Sequence, residues 1–188
     1  MMQGHNSNEG AIFASPFVHN QSDYRYYLSG LLPESSPETL STITDDLYPD
    51  EFSGKYGYED QLGRVTQTLG DALIDCNTFY LDKAFRPNNA SYAYVFSVPP
   101  GLHASDLPYT FLDPDEPESA LNSTLARLMQ GYFANFATTG SPNSPRLPPF
   151  PTGENLIAQN LNNTNFGPIK DKVSVGRCNW WQSGKFRE

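Results

Sequence analysis

Two stretches of the chain repeat their apolar residues with the period of a helix. From Leu121, the residues Leu125, Leu128, Met129, Tyr132, Phe133 and Phe136 follow at spacings of three and four, and Gly140 and Pro142 close the run. The spacing predicts an amphipathic helix with a stop signal. A second helical pattern covers about 65–84 through Val65, Leu69, Ala72, Leu73, Cys76 and Tyr80. Gly70 interrupts it as a break or a point of close packing, and Cys76 sits on its buried face. Between the two lies "SYAYVFSV", 91–98, apolar and rich in β-branched and aromatic residues. Flanked by "RPNNA" and "PPG", it reads as a buried parallel strand. Helix, strand, helix is an α/β signature.

The remaining pattern is looser. One short helix is expected around 24–32 and another after 35–37, "SPNSPRLPPFPTGEN" is a proline-rich loop, and "NLIAQNL" is expected to be a last edge strand. No internal repeat is visible and no linker splits the chain, so residues 1–188 read as one α/β unit.

Composition narrows the function. The chain has 188 residues, 38% of them hydrophobic, enough for a sizeable core. Against 21 acidic residues stand 12 unclustered basic ones, a net charge of -9 that opposes binding to a nucleic-acid backbone. No stretch approaches the roughly 18 to 20 apolar residues of a transmembrane segment. "MMQGHNSNEG" has neither the basic start nor the apolar middle of a signal peptide. Two features nonetheless favour secretion. Four N-x-Ser/Thr acceptors stand at Asn20, Asn89, Asn122 and Asn162, where composition would give roughly two by chance. The two cysteines, Cys76 and Cys178, are an even number that permits one bridge. His5, His19 and His103 have no close carboxylate or cysteine pattern, so no metal site and no cofactor is expected.

Candidate chemistry sits just past the apolar strand. In open α/β sheets reacting groups gather beyond the carboxyl ends of the parallel strands, and His103 in "GLHASDLPYTF" falls there by sequence. On its own it reads either as a solvated loop residue or as a general base. Glu9, in "QGHNSNEGAIF", reads either as a surface residue at a helix start or as a carboxylate turned into a cleft.

Five ordered stretches decide between these readings. "GHNSNEGAIF", "GDALIDCNTFYLDKAF", "YAYVFSVPPGLHASDLPYTF", "GYFANFATTGSPN" and "RCNWWQSGKF" resemble, in order and approximate spacing, the region near the C-terminal end of type-B carboxylesterases. That family includes cholinesterases and secreted fungal lipases. The resemblance covers almost the whole chain and implies the last sheet strands and packing helices of an α/β-hydrolase fold. It implies that Glu9 is the acid and His103 the base of a Ser-Glu-His triad, in which the base takes the proton of an attacking serine and the acid fixes its tautomer. Asp106 matches the family's acidic position and would support the loop. Cys76 and Cys178 match its paired cysteines, so a disulfide is expected. Ala104 stands where the family usually has Gly, a departure that bears on the loop backbone and not on the side-chain chemistry.

One part of the family's machinery does not occur in these residues. The nucleophile of the fold sits in G-x-S-x-G and its oxyanion hole draws on a glycine-rich loop. The 14 glycines here form no Gly-Gly pair, and no serine is flanked by glycines two residues away on both sides. Triad order is Ser, acid, His, so the nucleophile is expected upstream of Met1. The chain then reads as a C-terminal fragment of one secreted carboxylesterase domain, inactive without its N-terminal portion, acting with it on an ester substrate. The alternative is a non-catalytic cholinesterase-like interaction module, since the family also contains adhesion proteins that have lost the triad.

Overall fold

The computed structural model describes residues 1–85, 91–113, 115 and 122–187. In chain order the helices are α1 (Gln21–Leu31), α2 (Pro37–Ser41), α3 (Gln61–Gly70), α4 (Cys76–Phe85), α5 (Leu107–Thr110), α6 (Ser123–Thr139) and α7 (Val175–Gln182). The strands are β1 (Met2–Asn6), β2 (Tyr92–Phe96), β3 (Ile157–Leu161) and β4 (Gly167–Lys170). They fold as two compact units, each assembled from two segments: Met1–Ser7 with Leu81–Asp171, and Asn8–Tyr80 with Lys172–Glu188. Because the segments interleave, no linker composition marks the division along the sequence.

The first unit is a four-stranded sheet in the order β1-β2-β3-β4. β1 pairs parallel with β2, β2 parallel with β3, and β3 antiparallel with β4. The expected parallel strand is β2, with Val95 and Phe96 buried. α6 forms as its periodicity predicts, with its N-cap at Asn122, whose Oδ1 accepts from Leu125 N at 3.0 Å. Gly140 ends it at φ +78°, the left-handed C-cap that glycine adopts without a Cβ penalty. Leu121, the first residue of the sequence pattern, lies outside the described residues. Met129 and Tyr132, fully buried on the inner face of α6, join Phe96, Tyr109 and Leu161 in one core, and each such side chain contributes about 1.5–3 kcal/mol by leaving water.

Two sequence expectations change here. "NLIAQNL" is not the last edge strand: β3 lies between β2 and β4, with Gln159 opposite Pro168 and Ala158 opposite Ile169. β4 escapes a pattern reading because "GPIK" offers only Ile169 as an apolar β-former, and its proline lacks the N–H that an interior strand would need. β1 escapes as well, since "MQGHN" is polar. Its buried end works because the polar groups find partners. His5 Nε2 lies 3.0 Å from Asp171 Oδ2, and His5 Nδ1 lies 2.9 Å from the Asn6 carbonyl oxygen.

The second unit is helical. Gly70 does break the long pattern: α3 ends there, a π-helical turn follows over Asp71–Asp75, and α4 resumes at Cys76. The interruption turns Asp71 inward, where it is fully buried. Tyr48 OH donates to its Oδ2 at 2.8 Å, Gln67 Nε2 donates to Oδ1 at 2.9 Å, and Arg177 Nε lies 2.7 Å from Oδ2. Burial nevertheless raises the Asp71 carboxyl above its ordinary value, against the opposing pull of Arg177. Arg64, also fully buried, donates to the carbonyls of Tyr48 and Thr44 and stacks its guanidinium 4.2 Å from the centre of the Tyr24 ring. Around these polar groups pack Tyr24, Leu28, Ile43, Val65 and Trp181.

Cys76 and Cys178 form a disulfide that joins the start of α4 to α7 across 102 residues. A closed loop of that length is worth about 4–5 kcal/mol by the chain-entropy estimate. The unreduced, denatured protein should therefore show no thiol reactive to a colorimetric reagent, and the Cys76→Ser, Cys178→Ser double variant should unfold at markedly lower denaturant concentration. Two reactive thiols in unreduced protein would contradict the pairing.

Candidate active site

The loop after β2 is built to hold a tight course. Ser7 N donates to Phe96 O at 2.9 Å, extending the β1–β2 pairing beyond the strand. Gly101, at φ +63°, lies so close to Ser7 that a Cβ there would stand 2.2 Å from its Oγ. Glycine takes this left-handed φ without strain and leaves the Ser7 hydroxyl in place. Two successive turns follow, with Ser105 N donating to Leu102 O at 2.9 Å and Leu107 N to Ala104 O at 3.1 Å. His103 occupies the first turn and is exposed to solvent. α5 then anchors the segment through buried Tyr109, whose ring packs edge-on to Phe96 with centroids 4.8 Å apart.

Asp106 ties this loop to the sheet. Its Oδ1 accepts from Asn6 Nδ2 at 3.2 Å and its Oδ2 from Tyr94 OH at 3.3 Å. One carboxylate thus joins the His103 loop to the end of β1 and to the side of β2. Sequence reasoning missed Asn6 as a partner, because nothing in its polar surroundings distinguishes a strand end from a loop. Ala104 takes φ +67°, a left-handed conformation that costs a residue with a Cβ roughly 1–2 kcal/mol. The departure from glycine at this position therefore carries a backbone penalty.

Glu9 opens the 3-10 turn Glu9–Ile12 in the second unit, and its side chain is only 3% exposed. A carboxylate buried to this degree requires hydrogen bonds or a counter-charge. Gly10 sits hard against α3: a Cβ at this position would lie 1.9 Å from Thr66 O and 2.5 Å from Gly70 N. The residue after the acid is glycine because backbone meets backbone there. Glu9 follows the end of β1 by three residues and His103 follows the end of β2 by seven, and these strands are parallel neighbours. The two side chains belong to different compact units, each with its own local scaffold.

The other sequence candidates are placed as follows. Asn20 and Asn122 are helix N-caps, accepting from Asp23 N and Leu125 N at 3.0 Å each. Asn162 Nδ2 donates to Ser97 Oγ at 2.9 Å, and its Oδ1 accepts from Thr164 N at 2.9 Å. Asn89 lies outside the described residues. Among the described residues no three His, Cys, Asp or Glu side chains come together as metal ligands. No helix there is long and apolar enough to cross a membrane.

A family model described as "Carboxylesterase family" matches residues 1–181. A protein named Carboxylesterase patB from Aspergillus clavatus is 28% identical over 186 residues, which cover 99% of this chain and 33% of the relative. A protein of the same name from Penicillium expansum is 28% identical over 189 residues, again covering 99% and 33%. Secreted lipase 4 of Gibberella zeae is 24% identical over 203 residues, covering 94% of this chain and 34% of the relative. The chain thus spans about a third of the length of these relatives. The crystal structure of Aspergillus niger EstA, an α/β-hydrolase, matches the fold with a TM-score of 0.78 at 20% identity, over 100% of this chain and 40% of that one. The observed mixed sheet and packing helices are therefore part of an α/β-hydrolase fold.

Two substitutions test the loop. Ala104→Gly should raise stability by about 1 kcal/mol by removing the left-handed strain. Asp106→Ala should lower it by about 1–3 kcal/mol, since Asn6 and Tyr94 each lose their acceptor. Urea denaturation monitored by circular dichroism reads both, and a destabilising Ala104→Gly would contradict the conformation described.

Proposed function

We propose, from the premise that this chain belongs to the carboxylesterase family, that it carries the acid and the base of a carboxylic-ester hydrolase, Glu9 and His103 of a Ser-Glu-His triad. The observation that carries the reading is the pairing of two neighbouring parallel strands, β1 and β2, whose following turns bear a buried carboxylate and an exposed imidazole. In the reaction His103 accepts the proton of a serine hydroxyl as its oxygen attacks the ester carbonyl, then returns it to the leaving alcohol. Glu9 orients the ring and stabilises the imidazolium. Asp106 keeps the His103 loop in register through Asn6 and Tyr94.

The serine and the oxyanion donors of this reading are not supplied by a G-x-S-x-G or Gly-Gly stretch of these 188 residues, and the relatives matched are about three times as long. The chain is one part of a single hydrolase domain in this scheme, with an ester as the substrate of the whole. The parent protein is read as extracellular. The disulfide and the likeness to Secreted lipase 4 of Gibberella zeae support that. In a secreted protein Asn20, Asn122 and Asn162 are glycan acceptors in their sequence context, and Asn20 and Asn122 would keep the carbonyl oxygen that caps each helix.

A chimera tests the reading. Residues 1–188 replace the matched third of the Aspergillus clavatus relative, and hydrolysis of p-nitrophenyl esters is measured on folded protein. The chimera should hydrolyse the ester and be silenced by a serine-directed phosphonate. His103→Ala and Glu9→Gln should each lower kcat by roughly 10³–10⁴ or more, while residues 1–188 alone should show no serine-reagent-sensitive turnover. A folded, active chimera indifferent to His103→Ala would refute the assignment.

A further inference from the structure

A second chemical environment lies in the helical unit. A cavity of about 500 Å³ is lined by Gly54, Lys55, Tyr56, Gly57, Gln67, Lys172, Ser174 and Arg177. In a chain of net charge -9, three of the 12 basic residues line this one cavity and no acidic residue does. We propose that it binds a phosphate or sulfate monoester.

The floor is fixed by Arg177, which is 8% exposed. Its Nε is held 2.7 Å from Asp71 Oδ2, its Nη1 donates to Tyr56 O at 2.8 Å, and its guanidinium lies 4.9 Å from the centre of the Tyr48 ring. These contacts hold the fork: Nη1 is hydrogen-bonded and Nε faces a carboxylate oxygen at ion-pair distance. Nη2 makes no hydrogen bond among the described residues. A guanidinium fixed in this way presents its remaining donors with little loss of side-chain freedom on binding. Asp71 already balances the charge of Arg177 from beneath, so the net attraction comes from Lys55 and Lys172.

The walls suit a tetrahedral oxyanion. Lys55 and Lys172 are exposed at the mouth, and the Lys55 ammonium lies 5.0 Å from the centre of the Tyr56 ring, drawn in over the cavity wall. Ser174 caps α7 by accepting from Arg177 N, which leaves its hydroxyl proton free to donate outward. Two ammonium groups, a guanidinium nitrogen and a hydroxyl give more donors than a lone carboxylate can use, and they match the charge and oxygen count of a phosphate or sulfate group. The space exceeds a bare ion, and the Tyr56 ring offers a wall for the organic part of the ester. Glu59, whose carboxylate lies near Gly54, and Glu51, which feels the charge of Lys55, are both absent from the lining.

Melting temperature of the 188-residue protein should rise saturably with inorganic phosphate and with glycerol 3-phosphate, and not with sodium chloride at equal ionic strength. Lys55→Ala with Lys172→Ala should weaken the response at least tenfold, while Lys83→Ala with Lys185→Ala should leave it unchanged. Sedimentation with phosphatidylcholine vesicles, with and without phosphatidic acid, separates the sources. Capture that depends on Lys55 and Lys172, without a response to soluble esters, assigns the group to a lipid surface; a soluble response without capture assigns it to a free ester. No response in either arm, or one that the Lys55, Lys172 variant retains, overturns the proposal.

Discussion

The five-residue parallel pairing of β1 with β2 is the constraint on which the sheet and the loop after β2 depend. Parallel strands run in the same direction, so the chain leaves both at the same edge of the sheet. Because β1 is only MQGHN, hydrophobic burial alone cannot hold it in register. Polar contacts supply what the apolar pattern lacks: His5 with Asp171, Asn6 with Asp106, and Ser7 with the carbonyl of Phe96. A one-residue slip would turn the His5 and Asn6 side chains to the wrong face and break the Ser7 backbone bond. The register is therefore specified by hydrogen bonds and by the close approach of Gly101 to Ser7.

The helical unit solves a different problem with similar means. Its core contains a fully buried arginine and a fully buried aspartate, groups that are costly to remove from water unless their hydrogen bonds are made. Arg64 satisfies carbonyls left open near the π-helical turn Thr42–Leu47, donating to Thr44 O within it and to Tyr48 O just after it. Asp71 collects donors from Tyr48 and Gln67 and faces Arg177. The network joins α3, the π-helical turn after it and α7, and the disulfide fastens α7 to the start of α4. Removing either partner of the Asp71–Arg177 pair would leave a buried charge, and that pairing also holds Arg177 still at the floor of the cavity.

How much of this the sequence reveals follows from the physics of each element. α6 is legible because a stripe of large apolar residues at helical spacing has one good way to be buried, and Gly140 marks its end. β2 is legible because interior parallel strands are apolar on both faces. β1, β4 and α7 are not, because they are held by side-chain hydrogen bonds, a sheet edge and a disulfide, none of which leaves a periodic pattern. The division into two units is hidden for a related reason: the chain crosses between segments at Ser7, Tyr80 and Asp171 without a change in composition. Position past a strand makes His103 a candidate, and a polar turn makes Glu9 one, but only the family motifs choose between their functional and bland readings. As isolated residues they have the same polar neighbours as any loop.

Their burial differs in a way that suits the roles proposed for them. A triad acid must stay ionised, shielded from water and fixed, so a residue 3% exposed on a turn pressed backbone to backbone against α3 is well suited to it. A base must exchange protons with a serine and a leaving alcohol, so it needs an open side, and His103 is exposed on a turn braced from behind by Asp106. The left-handed Ala104 next to it shows that the turn is imposed by its surroundings and not chosen by local propensity. A loop free to relax would move Ala104 to a right-handed conformation and redirect the histidine beside it. Asp106, Tyr109 and Gly101 act against that relaxation, and their contacts hold the backbone that presents His103 to solvent.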